Sequence, residues 1–221
     1  MKPDNARFIQ ENTALVRPPH CPEIVLHLAD DAVELWRMTE DHLAALGLDP
    51  PFWAFAWAGG QALARYVLDH PEMVRGRRVL DVASGSGLVA IAAMKAGAAS
   101  ARAIDLDAMA ATACALNARE NAVVVEAVAG DALIAAPDAD VVLVGDLFYD
   151  REIAARLLAW LRATEAAGAA VLIGDPGRSY LPKAELVQIA SYEVPVSRTL
   201  EDAEVKRTGV WRLARAPSAP I

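Results

Sequence analysis

Residues 77–90 read RRVLDVASGSGLVA, and this stretch decides the fold. Its first half, RRVLDVA, has the pattern of a β-strand, and the residues from Leu88 onward continue as an apolar helix. Between them, Gly85 and Gly87 stand one residue apart. Two glycines at this spacing allow a tight turn and let backbone N–H groups approach a ligand closely. The stretch therefore predicts a strand, a glycine loop that can face a ligand, and a helix.

Beyond this stretch, strand and helix patterns alternate with short connections, which is typical of a doubly wound, mostly parallel sheet. The last two extended candidates, residues 192–199 and 210–213, have no long helix between them. They fit an antiparallel hairpin at one edge of the sheet. The predicted parallel strands are residues 77–83, 100–105, 123–131, 140–146 and 169–175, and the helices are residues 87–97, 107–121 and 151–168.

The first 59 residues predict a short α/β extension that precedes a core of residues 60–221. Pro50 and Pro51 interrupt regular structure near the boundary between the two parts. The predicted elements of the extension are a helix within residues 1–20, a strand over residues 23–29 and a helix over residues 32–46.

The carboxyl ends of parallel strands are where ligands bind in such sheets, so the residues just after each strand are the candidates. Asp105 ends the second strand, 18 residues after Gly87, and can accept hydrogen bonds from both hydroxyls of a ribose. With the glycine loop, this indicates a cofactor that contains adenosine. Residues 85–90, GSGLVA, also fit the relaxed dinucleotide pattern GxGxxA. At this point the cofactor can therefore be either a dinucleotide or another adenosine-containing molecule.

The residues at the next two strand ends favour an adenosine-containing cofactor that is not a dinucleotide. Asp131 follows the third strand and suits the exocyclic amine of an adenine. The fourth strand ends in Asp146-Leu147-Phe148-Tyr149, which places an acid and two aromatic residues where a substrate should lie. Asp175 follows the fifth strand and is a candidate for substrate contact.

At this point the chain resembles the class I, seven-strand S-adenosylmethionine-dependent methyltransferases, which have a Rossmann-like fold. Asp81, Gly85 and Gly87 look like the D-x-x-x-G-x-G loop of that class, Asp105 like its ribose acid and Gly130-Asp131 like its adenine contact. One departure is Ala83, where many members of the class have glycine, which narrows backbone freedom there.

A narrower resemblance rests on two further segments. Residues 51–60, PFWAFAWAGG, look like the W-x-[AG]-G segment of a protein-lysine methyltransferase family, and residues 146–149, DLFY, match the [DE]-x-x-[YF] signature of that family. The sequence is similar to bacterial enzymes that resemble the electron-transfer flavoprotein β-subunit lysine methyltransferase family, from about Glu23 to Leu213.

The resemblance implies N-methylation of lysine with S-adenosylmethionine as cofactor and the flavoprotein β subunit as partner. It also implies that residues 1–59 include a segment that covers the cofactor. Asp146 and Tyr149 are then the expected catalytic residues, and no metal is required. The expected cofactor contacts are Trp57, Asp81, Ser84, Gly85, Gly87, Asp105 and Asp131, and the expected substrate contacts are Trp53, Phe148 and Asp175.

Three other functions fit part of the same pattern. A nicotinamide- or flavin-dependent oxidoreductase could use the glycine loop, but it would leave Asp131 and Asp146 unexplained. A small-molecule (nicotinamide-like) N-methyltransferase would share every cofactor residue and differ only in its acceptor. A module that binds the cofactor without turnover is disfavoured by the intact segment at residues 146–149.

Composition restricts the partners and the compartment. The net charge of −8 and the pI of about 5.0 disfavour nonspecific attraction to nucleic acid. Cys21 and Cys114 are far apart and have no metal-type spacing, which fits a reducing compartment. No apolar run reaches the roughly 18 residues of a membrane span, and the polar start is unlike a signal peptide. We therefore expect a cytoplasmic monomer that binds neither membranes nor nucleic acid.

Overall fold

A computed structural model describes residues 5–29, 50–197, 201 and 203–214. Its larger sheet has seven strands in the spatial order β5-β4-β3-β6-β7-β9-β8, and a separate two-stranded sheet pairs β1 with β2. The strands are β1 (Ala14–Val16), β2 (Leu26–Leu28), β3 (Arg78–Val82), β4 (Ser100–Asp105), β5 (Glu126–Ala129), β6 (Val141–Gly145), β7 (Ala170–Asp175), β8 (Leu186–Pro195) and β9 (Val205–Leu213). The helices are α1 (Asn5–Asn12), α2 (Ala58–Asp69), α3 (Leu88–Lys95), α4 (Ala108–Glu120) and α5 (Arg151–Ala166), with 3₁₀ turns at Phe52–Ala54, Pro71–Met73, Ala132–Ile134 and Lys183–Glu185.

The predicted architecture is confirmed. Strands β3 to β7 pair in parallel, and β9 and β8 close one edge as an antiparallel pair. The strand order reverses at β3, which has β4 on one side and β6 on the other, so the ligand-binding edge lies at the carboxyl ends of these strands.

The edge hairpin differs from its prediction, because both strands begin earlier and are longer than residues 192–199 and 210–213. The register between β8 and β9 shifts between Gln188 and Ala190, and this irregularity interrupts the alternation on which the prediction depends. The extension also contains β1, a strand that was not predicted, while the predicted strand at residues 23–29 is reduced to β2. The helix predicted over residues 32–46 lies outside the described residues.

Two apolar layers cover the large sheet. Helices α2 and α3 pack on one face, where Leu63, Val67 and Ile91 are fully buried. Helix α5 packs on the other face through Leu157 and Leu161. The packing of these helices fixes the positions of the strand ends, and therefore the positions of the residues that follow them.

Asn117, a fully buried residue of α4, ties the extension to the glycine loop. Its side-chain oxygen accepts a hydrogen bond from His27 N at 2.7 Å, and its side-chain nitrogen donates to Ser86 O at 2.8 Å. A second asparagine, Asn121, bonds both backbone groups of Val25. The first strand pair is therefore docked on the same helix that supports the loop.

Among the described residues, the helices are too short or too polar to span a bilayer. Within the same ranges, no group of histidine, cysteine, aspartate and glutamate side chains could hold a metal ion.

Candidate active site

The loop after β3 turns on three residues in the left-handed region of backbone space. The φ angles are +53° at Ala83, +50° at Gly85 and +78° at Gly87. A Cβ at Gly87 would lie 2.4 Å from the sulfur of Cys114, so this glycine lets the loop pack directly on α4. Alanine costs roughly 1–2 kcal/mol in this region, which gives the departure at Ala83 a physical cost.

Asp81 lies beneath this loop. Its side chain is 2% exposed, and its Oδ2 accepts the Ala90 N–H at 3.0 Å, in the first turn of α3. Burial raises its pKa to about 7, although the hydrogen bond from Ala90 opposes the rise. Asp81 is not among the residues that line the cavity described below, and the contact that its carboxylate makes is with the backbone of α3.

Asp105 reaches the cavity. Its Oδ2 accepts the Gly85 N–H at 2.9 Å, and its Oδ1 accepts the Asp107 N–H at 3.0 Å. Burial raises its pKa, and these backbone donors oppose the rise. Each carboxylate oxygen can accept more than one hydrogen bond, so Asp105 can hold the loop and still receive a ligand hydroxyl.

Asp131 lines the same cavity, but its carboxylate already has partners. Its Oδ1 accepts the Leu133 N–H at 2.8 Å and so caps the 3₁₀ turn at Ala132–Ile134. Its Oδ2 pairs with Arg156, and this hydrogen bond is the main cause of its lowered pKa. Sequence reasoning missed Arg156, which lines the cavity too.

Asp146 follows β6 in a strained backbone conformation, with φ at +57°. Its Oδ2 accepts the Gly60 N–H at 2.8 Å, at the amino end of α2. Its Oδ1 accepts two bonds from Arg178, at 2.6 Å from Nη2 and 3.2 Å from Nε. Burial raises the pKa of Asp146 to about 6, and Arg178 works against that rise.

Glycines let α2 approach the strand ends closely enough for this bond. A Cβ at Gly59 would lie 2.2 Å from Gly174 O and 2.5 Å from Asp146 Oδ2. Gly174 pairs with Gly145 across β6 and β7, and a Cβ at Gly145 would lie 3.1 Å from the Cα of Gly60. The two sequence signatures, at residues 57–60 and 146–149, therefore form one packed unit.

Aromatic rings surround Asp146. Trp57 Nε1 donates to Phe52 O at 2.9 Å, and the Phe52 ring lies 5.8 Å from Trp57 and 6.2 Å from Tyr149 between centroids. Tyr149 is half exposed, whereas Trp53 is 2% exposed although it still lines the cavity. Phe148 is fully buried in the apolar core beneath α5 and is not among the residues that line the cavity.

The loop after β7 carries Arg178, which sequence reasoning did not select. Asp175 is fully buried, and its Oδ1 accepts the N–H groups of Gly177 and Arg178 at 2.6 and 2.7 Å. Asp175 therefore shapes this turn, and it is not among the residues that line the cavity described below. The turn brings the Arg178 guanidinium over the Trp57 ring, 5.5 Å from its centroid.

A cavity of about 520 Å³ joins these elements. Seven of the twelve residues selected from the sequence line it: Trp53, Trp57, Gly85, Asp105, Asp131, Asp146 and Tyr149. The other five are not among the residues that line it: Asp81, Ser84, Gly87, Phe148 and Asp175.

Curated relatives match most of the length of this chain. The electron transfer flavoprotein beta subunit lysine methyltransferase of Danio rerio is 36% identical over 217 residues, which cover 95% of this chain and 83% of the relative. The Homo sapiens enzyme of the same name is 33% identical over 222 residues, with 96% and 82% covered. The chain belongs to this methyltransferase family.

The family model of the ribosomal protein L11 methyltransferases matches residues 61–147 of this chain. Two solved structures show the same fold. The L11 methylase of Lactobacillus delbrueckii is 24% identical, with a TM-score of 0.50 over 76% of this chain and 84% of the other. The T. thermophilus 16S rRNA N2 methyltransferase, in complex with AdoMet and guanosine, is 19% identical, with a TM-score of 0.52 over 73% and 44%.

The cofactor of this chain is S-adenosylmethionine, and the residues around the cavity fit that molecule. The glycine loop and Asp105 meet at one end of the cavity, where a nucleoside needs close backbone and a hydroxyl acceptor. In the described part of the chain, Ser84 Oγ is buried without a hydrogen-bond partner, as expected of a polar atom that a ligand completes.

Proposed function

We propose that this chain transfers methyl groups from S-adenosylmethionine to lysine side chains of the electron-transfer flavoprotein β subunit. Family membership over nearly the whole chain supports the proposal. The observation that carries it is the bond from Gly60 N to Asp146 Oδ2, because it joins the two lysine-methyltransferase signatures at the cavity.

The cofactor half of the cavity is assigned to the glycine loop and the acids that follow β4 and β5. Asp105 would accept the ribose hydroxyls, and Gly85 and Ser84 would meet the cofactor from the loop. Asp131 would face the adenine while Arg156 holds it, and Trp57 would form part of the wall. Asp81 and Gly87 act behind the loop and keep its shape.

The acceptor half is assigned to Asp146, Tyr149 and the aromatic wall. When bound, S-adenosylmethionine supplies a methyl carbon that is already electrophilic because it is attached to a sulfonium. A lysine amine is mostly protonated in water, with an ordinary pKa of about 10.4, and desolvation between Trp57, Phe52 and Tyr149 favours its neutral form.

Asp146 accepts a hydrogen bond from this amine and orients its lone pair toward the methyl group. Aromatic faces around it stabilise a methylated ammonium by cation–π attraction, worth about 0.5–2 kcal/mol. Alignment of the two reacting atoms supplies much of the rate, and no side chain is assigned as a dedicated general base.

The first 59 residues include part of this wall, since Phe52, Trp53 and Trp57 line the cavity. We propose that residues 1–59 are an N-terminal extension that covers the cofactor and that residues 60–221 are the methyltransferase core. We further propose a cytoplasmic monomer that does not bind nucleic acid; the charge of −8 and the two buried free cysteines support this. The acidic charge also favours approach to a basic surface that carries lysines.

The test combines the purified chain, purified flavoprotein β subunit and labelled S-adenosylmethionine, with the products resolved by mass spectrometry. We expect methyl groups on lysines of the β subunit. In Asp146→Asn, the uncharged amide should lower the rate about 100-fold. Cofactor affinity, measured by calorimetry, should stay within about threefold of the wild type, because Asp146 lies in the acceptor half.

Label that enters only small molecules would contradict the protein-lysine assignment and favour a small-molecule N-methyltransferase. Full activity in Asp146→Asn would remove this residue from the reaction. Absence of cofactor binding in the wild-type chain would contradict the whole assignment.

A further inference from the structure

A series of ion pairs connects Asp146 with the edge hairpin, and the proposed mechanism gives these pairs no role. Arg178 Nη2 lies 2.6 Å from Asp146 Oδ1 and 3.1 Å from Glu201 Oε1. Glu201, whose side chain is only 3% exposed, also accepts a bond from Lys206 Nζ at 2.6 Å. Arg178 and Lys206 thus alternate with Asp146 and Glu201 from the cavity to β9.

Backbone groups hold Asp146, Arg178 and Glu201 in place. Asp175 fixes the turn that leads to Arg178, because its carboxylate accepts hydrogen bonds from the Gly177 and Arg178 N–H groups. Glu201 Oε1 also accepts the Ala58 N–H at 3.4 Å, beside the Gly60 N–H that binds Asp146. The two acids therefore bind neighbouring N–H groups at the amino end of α2, with the arginine between them.

We propose that Arg178 is a positioning residue for methyl transfer: it keeps Asp146 ionised and turned toward the cavity, while Glu201 holds Arg178 in place. This inference rests on the proposed function, because it gives Asp146 the role of hydrogen-bond acceptor for the lysine amine.

The charged groups around Asp146 show why a cation is needed. Arg178 faces it from the loop after β7, Asp175 lies behind that loop, and Glu201 faces the same guanidinium from the edge hairpin. The amino end of α2 contributes the Gly60 N–H. Without Arg178, Asp146 would keep the Gly60 N–H as a donor but would face the charge of Asp175, while Glu201 would keep Lys206. Burial and carboxylate repulsion would then favour the protonated form of Asp146.

The first experiment follows the Asp146 carboxyl directly by carbon-13 NMR titration of the free enzyme, with Asp146→Asn used to assign the resonance. In Arg178→Gln, the titration midpoint should move to higher pH by about 1–3 pH units. Arg178→Lys keeps a cation there and should move it by a smaller amount.

Arg162→Gln is a matched control, because Arg162 pairs with Glu185 in the same way but far from the cavity. It should leave the midpoint unchanged. Arg178→Gln leaves Glu201 without its guanidinium, so the double variant R178Q/E201Q serves if the single variant does not fold. The midpoint should rise in the double variant as well.

The second experiment measures the ratio of variant to wild-type kcat against pH, with saturating cofactor, so that titration of the lysine cancels. For Arg178→Gln, the ratio should fall about tenfold at pH 7 and recover toward alkaline pH, since more Asp146 is then ionised. A merely structural role would lower the ratio equally at every pH.

A midpoint that does not move in Arg178→Gln or R178Q/E201Q would overturn the inference, and so would a moved midpoint with a ratio that is flat in pH. Failure of the proposed function would be visible elsewhere, in a wild-type enzyme that methylates no lysine. The NMR titration needs no acceptor, so the two failures are distinguishable.

Discussion

The two halves of the cavity are built by different means. The cofactor half consists of a backbone loop, in which Gly85 N–H binds Asp105 and Asp81 binds Ala90 N–H beneath the turn. The acceptor half depends on side-chain charges, since Asp146 binds Arg178 and Arg178 binds Glu201. We infer that a bound nucleoside is recognised by a fixed loop together with the Asp105 carboxylate, while a flexible lysine needs a carboxylate held in one protonation state.

The amino end of α2 combines close backbone packing with a contact to a charged side chain. It is a backbone feature, yet it delivers the Gly60 N–H to the charged acceptor half. A side chain at Gly59 would meet both the backbone of β7 and the Asp146 carboxylate, so Gly59→Ala should produce the largest effect.

Gly59→Ala should disrupt the acceptor half. The new Cβ would lie 2.2 Å from Gly174 O and 2.5 Å from Asp146 Oδ2, so α2 or Asp146 must move. We expect methyl transfer to fall by about 10- to 100-fold and the free energy of unfolding to fall by about 1–3 kcal/mol. Enzyme assays and denaturant unfolding would measure both effects.

Gly60→Ala is the matched control. Its Cβ would meet only Val89, at 4.0 Å, and alanine keeps the N–H that binds Asp146. Activity should stay within about twofold, and alanine is the better helix residue by about 1 kcal/mol. The W-x-[AG]-G pattern allows alanine at position 59, so an active and stable Gly59→Ala would contradict the packing argument.

Asp105→Ala should damage the cofactor half alone. It removes the acceptor of two backbone N–H groups and the proposed acceptor of the ribose hydroxyls. Loss of a charged hydrogen bond corresponds to about 1.5–3 kcal/mol, so calorimetry should show cofactor binding weakened by about 10- to 100-fold. With saturating cofactor, kcat should recover to near the wild-type value, because the acceptor half is intact.

Asp150→Ala controls for the loss of a carboxylate that binds backbone. Asp150 accepts N–H groups of Glu152 and Ile153 at the start of α5, outside the cavity wall. It should cost about 1 kcal/mol of stability and leave cofactor affinity unchanged. Equal weakening of the cofactor in both variants would remove Asp105 from the site.

The sequence predicted the sheet because its signals are local: apolar runs, glycines and acids at strand ends. It could not tell which of these acids face the cavity, because that depends on register. Asp81 pairs with Ala103, so Asp105 stands two residues further along the neighbouring strand and reaches the edge. Asp175, the last residue of β7, pairs with Gly209 of β9 and is fully buried.

The ion pairs of the acceptor half could not be predicted from the sequence. Arg178 and Glu201 are 32 and 55 residues after Asp146, and no motif connects them. Only the turn at Asp175 and the antiparallel closure of β9 on β7 bring them together. The two signatures were visible as patterns, but the bond between Gly60 and Asp146 depends on the glycine contacts of α2 with two strands.

Ala83→Gly should give the smallest effect and tests whether strain in the backbone half serves the cofactor. Ala83 has φ at +53°, and Ala122, in the turn after α4, has φ at +54°. Glycine removes the strain in both but adds freedom to the unfolded chain, so each change should raise the free energy of unfolding by roughly 0.5–1 kcal/mol.

Ala122→Gly is the matched control, since Ala122 does not line the cavity and Ala83 does. Ser84 N and Gly87 N keep their bonds to Ile104 O and Ser84 O in either variant. Cofactor affinity in Ala83→Gly should therefore stay within about threefold of the wild type. If only Ala83→Gly weakened cofactor binding, the strained alanine would itself shape the loop for binding, and the cofactor half would depend on the Ala83 side chain as well as on Asp105.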